Sequence, residues 1–267
     1  MSENYVRILG ARGSAPVSGE QFREFGGATS CVLVKLSGHC LVLDAGSGIC
    51  SLPAELPGQE ELDLILTHLH LDHLIGLPLC PFLLKEGNRM NIHAAVQGKM
   101  NLQSLLDRVI GPPYWPVTLD ELPAEIKFCS LKEDSLINGI HVETMQGVHP
   151  GGISILKLRA EEKTVVFATD CTLTEDLTPK LKSFASGCDL LLIDGQYSDE
   201  EWQKAAGYGH SRWNTAAQFA KDCGVKLTRI IHHDPTHTDS RLCLAEAEMI
   251  KMNSLAAFAR ENEEIIL

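Results

Sequence analysis

The chain has 267 residues, of which 44% are hydrophobic and 22% are charged, and its formal net charge is −12. This composition supports a folded core and argues against a disordered chain. The negative charge argues against a protein that follows a nucleic-acid backbone, because that affinity comes mainly from Lys and Arg. No secretory signal and no membrane-spanning run stand out, and nine cysteines without paired spacing indicate reduced thiols. We therefore expect a cytoplasmic protein.

The first half of the chain alternates strand patterns with one or two helices. Four apolar or alternating runs predict strands, at residues 5–10, 29–36, 39–46 and 62–68. Residues 75–87 then predict a helix that begins near Pro78 and ends at Gly87. A short strand, "MNIHAAV", and a helix over residues 99–110 follow. Residues 111–123 have no regular pattern and are interpreted as a loop that borders a site.

The second half of the chain is richer in strand patterns. Four runs at hairpin spacing predict strands, namely "IKFCSL", "GIHVETMQG", "GISILKLRA" and "KTVVFATD". Residues 188–195 predict another strand, and residues 211–224 predict a helix with Ser211 in a capping position. "KLTRIIHHDP" is interpreted as the last strand, before a helix over residues 240–262. These patterns predict one domain over residues 1–267, with two sheets between helical layers.

The most informative segment is "THLHLDH", which directly follows the buried strand at 62–68. It places four side chains of metal-ligand type within six residues, namely His68, His70, Asp72 and His73. Imidazole and carboxylate groups together suit Zn²⁺, Mn²⁺ or Fe. Because one ion cannot take four ligands from so tight a loop, two neighbouring ions are the better interpretation. A polar turn without metal is the alternative.

Other polar side chains stand where later apolar strands end, at positions where packing does not require them. They are His149 in "GVHPGG", Asp170 in "VVFATDC", and His232 and His233 in "RIIHHDP". The alternative for each is a structural role, as a turn-capping Asp or a hydrogen-bonded His. Asp44 in "LDAGSG" and Asp194 in "LLIDGQ" end strands as well, and the pattern leaves open whether they face a site or hold a turn.

These motifs resemble the metallo-β-lactamase superfamily of hydrolases, whose signature H-x-H-x-D-H is matched at residues 68–73. The resemblance extends over nearly the whole chain, through "LVLDAGSG", "ATD" and "HHDP". Within that superfamily, "GHSRWNTAAQFA" is similar to the phosphodiesterase branch that includes ribonuclease Z and the cyclic-phosphate phosphodiesterases, with Arg212 where Thr is usual. The resemblance implies an α/β (α+β) fold, the four-layer αββα sandwich of the metallo-β-lactamase type.

The resemblance also implies a dinuclear centre with two divalent ions, Zn²⁺ first and Mn²⁺ or Fe as alternatives. Its ligands would be His68, His70 and His149 on one ion, Asp72, His73 and His232 on the other, and Asp170 bridging the two. His232 is chosen over His233 because its spacing to Pro235 along the sequence matches that of the related nucleases. Asp44 and His233 would then be neighbours that orient the ligands.

Two ions about 3.5–4 Å apart can hold a bridging hydroxide and clamp phosphoryl oxygens, which suits phosphodiester cleavage. Asp72 would orient the hydroxide, and His210 would assist the departing alkoxide. Ser211 would contact the substrate with His210. Tyr114 is a weaker candidate for stacking on a base, since it could equally fill a gap beneath its loop.

The function expected is therefore cleavage of a small phosphodiester, with a cyclic nucleotide as one option. A tRNA 3′-processing endonuclease is the first alternative. That class carries a long basic arm, whereas residues 108–124 are short and nearly uncharged, so nucleic acid is not the expected partner. A thioesterase or lactamase is the other enzymatic alternative, and a metal-binding scaffold is the non-enzymatic one. Related enzymes are often dimers, so a homodimer is a further expectation.

Overall fold

The computed structural model describes residues 4–54, 56, 59–95 and 101–267, in which fourteen strands form two seven-stranded sheets. The strands are β1 (Tyr5–Gly10), β2 (Cys31–Leu36), β3 (His39–Leu43), β4 (Glu61–Leu66), β5 (Arg89–Ala94), β6 (Glu125–Ser130), β7 (Asp134–Ile137), β8 (Ile140–Gly147), β9 (Ile153–Ala160), β10 (Lys163–Ala168), β11 (Leu190–Asp194), β12 (Leu227–Ile231), β13 (Ala256–Phe258) and β14 (Glu264–Ile266). The α-helices are α1 (Leu102–Leu106), α2 (Leu177–Ala185), α3 (Trp202–Ala205), α4 (Trp213–Asp222) and α5 (Asp239–Met252).

The first sheet has the order β14-β1-β2-β3-β4-β5-β6, and the second has the order β13-β12-β11-β10-β9-β8-β7. In the second sheet, β10, β11, β12 and β13 run parallel to one another. Strand β8 has the same direction, because β9 is antiparallel to both β8 and β10. The carboxyl ends of β8, β10, β11 and β12 therefore meet at one edge of that sheet.

The two sheets pack face to face, and side chains from both fill the space between them. Ile65 of β4 and Phe167 of β10 belong to this central core. Their chain neighbours Leu64, Leu66 and Val166 point to the outer faces, because successive side chains of a strand alternate. Helices α2, α4 and α5 cover the second sheet, and α1 with irregular segments covers the first. This arrangement confirms the predicted αββα sandwich.

The predicted helix at residues 75–87 is wrong. Leu77–Leu79 forms one 3₁₀ turn, and the amides of Leu83 and Leu84 then both donate to the carbonyl of Cys80. Pro78 and Pro81 lack the N–H that a continuing helix would use, so the apolar run folds as successive turns. The helix predicted at 99–110 is shorter, since α1 covers Leu102–Leu106, and residues 99 and 100 lie outside the described part of the chain.

The end of the chain also differs from the prediction of a last strand followed by a helix at 240–262. Helix α5 ends at Met252, and the side-chain amide of the following residue, Asn253, donates to the carbonyl of Ala217. Ala256 and Phe258 then form β13 beside β12, and β14 joins the first sheet. Ala256 fits a helical spacing and a strand alternation equally, so periodicity alone gave the wrong element.

Four further elements were missed or misplaced by the patterns. Strand β7 and helices α2 and α3 were not predicted, and "IKFCSL" forms β6 in the first sheet, parallel to β5, rather than a hairpin with the next strand. All nine cysteines are free, and Cys50 is the exposed one among them. No helix in the described ranges has the length and apolarity that a membrane crossing requires.

Candidate metal centre

Strand ends from both sheets bring the predicted ligands to one edge of the sandwich. His68 follows β4 of the first sheet. His149, Asp170 and His232 follow β8, β10 and β12 of the second sheet, whose carboxyl ends meet there. A site built this way takes side chains from segments far apart in sequence, which is common at the carboxyl ends of strands.

The backbone turns sharply at three of the polar residues. Asp44 has φ of 59°, Asp170 has φ of 46° and His232 has φ of 64°. This left-handed region is uncommon for residues other than glycine, although Asp and His are enriched there. Each costs of order 1–3 kcal/mol and persists where the surrounding structure enforces it, typically at functional sites. The reversal directs each side chain inward from the end of its strand.

The first ligand group consists of His68, His70 and His149. His70 Nδ1 lies 3.0 Å from His149 Nε2. His149 Nδ1 lies 3.0 Å from the carbonyl oxygen of Gly209, which fixes the proton on Nδ1 and leaves Nε2 free to bind a metal. His68 Nε2 is buried and has no hydrogen-bond partner.

The second ligand group consists of Asp72, His73, Asp170 and His232. His232 Nε2 lies 3.2 Å from Asp72 Oδ2 and 3.1 Å from Asp170 Oδ2. His73 Nε2 lies 3.4 Å from Asp72 Oδ2 and 3.2 Å from Asp170 Oδ1. Asp170 also belongs to the surroundings of the first group, because its Oδ2 lies 3.8 Å from the Nε2 atoms of both His68 and His149.

The two groups fit divalent ions on three grounds. First, the Nε2 atom of His68 is buried without a hydrogen-bond partner, and an orphaned nitrogen of this kind needs an explanation such as an ion. Second, burial lowers the pKa of His68 to about 2, so its ring is neutral and can act as a ligand. Third, imidazole and carboxylate groups are the ligands that Zn²⁺ takes in proteins.

The histidines of the two ligand groups differ in how readily they hold a proton. Burial also lowers the pKa of His149. Burial acts in the same direction on His232, but the neighbouring carboxylates of Asp170 and Asp72 outweigh it and raise the pKa of His232 to about 10. An ion that binds to the second group would therefore replace a proton on His232.

Asp44 lies directly behind the second ligand group. Its Oδ2 is 2.7 Å from His73 Nδ1, and its Oδ1 accepts hydrogen bonds from the backbone amide and the hydroxyl of Thr67. A carboxylate in this position holds the ring of His73 with Nε2 toward the site. Asp44 thus has the contact expected of a residue that orients a ligand.

The structure does not support the same role for His233. Its Nε2–H donates to the carbonyl of Ala259 at 2.9 Å, and its ring packs against Phe25 and Phe258. His232 therefore faces Asp72 and Asp170, whereas His233 faces the core.

His210 lies beside both ligand groups. Its ring stacks on His232 with centroids 4.6 Å apart and contacts His149 at 5.1 Å. Its Nδ1 is 2.7 Å from Asp194 Oδ2, and the other oxygen of Asp194 accepts from the amide of Ser211. This answers the open question about Asp194, because its buried carboxylate turns toward the site and holds the ring of His210.

The two residues predicted to contact substrate are placed elsewhere. Ser211 is buried, and its hydroxyl donates to the carbonyl of Cys171 at 2.7 Å, while Arg212 rather than Ser211 is the N-cap of α4. Ser211 therefore connects two loops and has no free hydroxyl for a substrate. Tyr114 is 77% exposed, and it does not line the cavity of about 250 Å³ beside His68 and His70.

The sequence patterns missed three residues that contact the site. Gln196 accepts a hydrogen bond from His232 Nδ1, and the amide of Ser14 donates to Asp72 Oδ2 at 2.7 Å. The ring of Tyr197 lies 6.0 Å from that of His210. The available signal was position alone, since Gln196 and Tyr197 follow Asp194 at the end of β11.

An αββα sandwich with a histidine and carboxylate cluster at one edge defines a metal-dependent hydrolase. The family model described as "Beta-lactamase superfamily domain" matches residues 39–233, and the chain belongs to that superfamily. This confirms the resemblance drawn from the H-x-H-x-D-H signature.

Individual relatives are similar over their whole lengths. Ribonuclease Z of Lachnoclostridium phytofermentans is 25% identical over an alignment of 310 positions, which covers 96% of this chain and 96% of that protein. The metallo-beta-lactamase fold protein YhfI from Bacillus subtilis has a TM-score of 0.75 and 18% identity, with 100% of each chain covered. A diphosphatase from the PhnP family has a TM-score of 0.71 and 14% identity, with 98% of this chain and 97% of that chain covered. At these identities the two structures show a shared fold.

Proposed function

We propose that this protein is a dinuclear metal-dependent phosphodiesterase that cleaves a small phosphodiester, with cyclic nucleotides as the first substrates to test. The observation that carries the proposal is His210, which lies against both ligand groups and is held through Nδ1 by Asp194. A hydrolase that displaces an alkoxide needs a proton donor close to the metals, and His210 has the position for it.

The two ligand groups are assigned to two divalent ions, with Zn²⁺ as the expected metal and Asp170 as the bridging residue. Three histidines would hold one ion, and two histidines with Asp72 would hold the other. When bound, such ions activate a water molecule and neutralise the phosphoryl oxygens of an in-line displacement. Asp72, which the amide of Ser14 holds in place, would orient the attacking water as well as bind.

The protein groups then divide the remaining tasks. The hydrogen bond from His210 Nδ1 to Asp194 fixes the ring, so that Nε2 is the nitrogen available to the departing oxygen. Asp194 does not reach the substrate and acts as a positioning residue. Burial of His210 and Asp194 keeps competing water away from this pair.

Three features support a small substrate. The net charge of −12 offers little attraction to a polynucleotide. Residues 108–124 form turns and one short 3₁₀ segment, Leu119–Glu121, rather than an extended arm. The alignment with the ribonuclease Z relative is longer than this chain, so that relative contains segments that this chain lacks.

An aromatic surface beyond His210 supports a substrate with a planar group. The ring of Tyr197 contacts His210, and the ring of Tyr208 lies 6.5 Å from Tyr197 and is 63% exposed. Aromatic rings stack readily on planar groups such as nucleobases. The nucleoside leaving group of the substrate would lie against this surface.

The second candidate function is processing of RNA. Its support is the name of the relative, ribonuclease Z, which opposes the expectation that nucleic acid is not a substrate. His70, a candidate ligand of the first group, is exposed, so the site is accessible from solvent at that edge of the sandwich. The missing segments and the charge of the chain favour the small substrate over this alternative.

The deciding experiment is a substrate comparison with metal-reconstituted protein. Bis(p-nitrophenyl) phosphate, cyclic mononucleotides, cyclic dinucleotides and a precursor tRNA would be supplied under identical conditions, with a chelator-treated sample as control. Turnover of the small diesters with no cleavage of the tRNA is the expected result. Cleavage of the tRNA at far higher kcat/KM would favour the second candidate, and opening of thioesters or lactams without any phosphodiester cleavage would overturn both.

A further inference from the structure

A buried glutamine links two ligands of the second group. Gln196 is 2% exposed, and its Oε1 accepts a hydrogen bond from His232 Nδ1 at 3.1 Å. Its Nε2 donates to Ser14 Oγ at 3.3 Å and to Asp234 Oδ2 at 3.2 Å. The amide of Ser14 in turn donates to Asp72 Oδ2. One continuous set of hydrogen bonds thus connects Asp72 and His232 behind the site.

These contacts determine how the side-chain amide of Gln196 is oriented. Both neighbours of Nε2, Ser14 Oγ and Asp234 Oδ2, can accept a hydrogen bond, so the NH₂ end belongs there and the oxygen faces His232. Because that oxygen is an acceptor, His232 must carry its proton on Nδ1. Its Nε2, which lies 3.2 Å from Asp72 and 3.1 Å from Asp170, is then the nitrogen that gives up its proton when an ion binds.

The partner of His232 differs in charge from the partner of His73. Asp44 places a carboxylate on Nδ1 of His73, whereas Gln196 places a neutral amide on Nδ1 of His232. A carboxylate at position 196 would also lie against Asp234, which the NH₂ group of glutamine avoids. The side chain that suits this location is therefore a neutral one with both a donor and an acceptor.

We propose that Gln196 is a positioning residue of the second ligand group, which holds His232 with Nε2 toward Asp72 and Asp170 and thereby strengthens binding of the second ion. The proposal rests on the two-ion part of the proposed function. Removing a hydrogen-bond partner behind a metal-binding histidine typically weakens metal binding 10- to 100-fold. Gln196 touches no ligand of the first group among its described contacts, so the first ion should be unaffected.

The experiment is a stepwise titration of the metal-free protein with Co²⁺ and with Zn²⁺, followed by visible spectroscopy and calorimetry. His70→Ala and His232→Ala assign each binding step to one ligand group. Gln196→Leu keeps the size of the side chain and removes both hydrogen-bonding functions. We expect it to weaken the second-group step by roughly 10- to 100-fold and to leave the other step within about twofold.

Three further variants make the result specific. Gln196→Glu keeps an acceptor for His232 but loses the donor to Ser14 and Asp234, so it should recover only part of the lost affinity at pH 8. Gln196→Asn stays polar but is one methylene too short to reach, so it tests the same point if Gln196→Leu does not fold. Gln218→Leu is the control, because the side-chain amide of Gln218 on α4 donates to Asp222 Oδ1 and to neither ligand group.

Several outcomes would overturn the proposal. They are unchanged second-group affinity in both Gln196→Leu and Gln196→Asn, or equal weakening of both binding steps. Failure of the proposed function is distinguishable, because it would appear as a native protein that binds a single ion.

Discussion

Asp170 lies between the two ligand groups, with one oxygen near His73 and the other near His232, His68 and His149. We expect Asp170→Asn to lose at least one of two bound ions, because a neutral amide cannot bridge two cations. Asn tolerates the left-handed φ of 46° at this position, so the backbone should be retained. Metal content per chain by mass spectrometry checks the prediction. Retention of two ions would contradict the bridging assignment.

His210 makes a sharper test of function than any metal ligand. We expect His210→Ala to keep both ions and to slow phosphodiester cleavage by roughly 10²–10⁴, the usual range for an acid–base group. The measurement is kcat beside metal content and thermal unfolding of the same preparation. If the variant instead loses metal, then the ring of His210, which stacks on His232, is structural.

The sequence patterns identified candidate site residues, but they did not show which way each side chain points. His232 and His233 are adjacent and chemically identical, and the backbone alone turns one to the ligands and the other to the core. Ser211 has the right chemistry for a substrate contact, yet its hydroxyl is used by the carbonyl of Cys171. Sequence spacing cannot show such hydrogen bonds, because the partners lie on other elements.

At the scale of elements, the segment between β11 and α4 supplies the aromatic surface beside His210. We expect Tyr208→Ala to raise KM about 2- to 10-fold for a phosphodiester with a nucleoside leaving group, since aromatic stacking contributes about 0.5–1.5 kcal/mol. Tyr208→Phe should retain the native KM because it keeps the ring. A matched diester with an aliphatic leaving group should show no difference, and an equal rise for both substrates would count against stacking.

Strand β13 replaces part of a predicted helix. The contribution of its packing can be measured as a change in the free energy of unfolding. Phe258 is fully buried against the rings of Phe25, Trp213 and His233. We expect Phe258→Ala to lower the free energy of unfolding by about 3–5 kcal/mol, the usual cost of emptying a buried aromatic site. Urea unfolding of the metal-free protein measures it. Leu255→Ala, at a position 48% exposed, is the control and should change little.

At the scale of the whole molecule, metal binding should be coupled to proton release. The pKa of His232 is raised to about 10 in the metal-free protein, so at pH 8 its ring is protonated and must lose that proton to bind an ion. Apparent affinity for the second ion should therefore increase as the pH rises toward 10. Calorimetric titration of Zn²⁺ in buffers of different ionisation enthalpy measures the protons released. An enthalpy that is independent of the buffer would contradict this prediction.

The sequence by itself determined the class of fold and the candidate metal ligands. Alternating and apolar runs fixed most of the strands, and the concentration of ligand side chains at residues 68–73 required partners that His149, Asp170 and His232 could supply. These are local properties, because strand periodicity and ligand chemistry are both visible within a few residues.

The tertiary structure alone decided how those side chains meet. It placed Asp194 behind His210 and Gln196 behind His232, turned His233 into the core, and added β13 and β14 where a helix was predicted. The reason is physical: hydrogen bonds and packing between residues far apart in sequence select one orientation among several that local patterns permit equally.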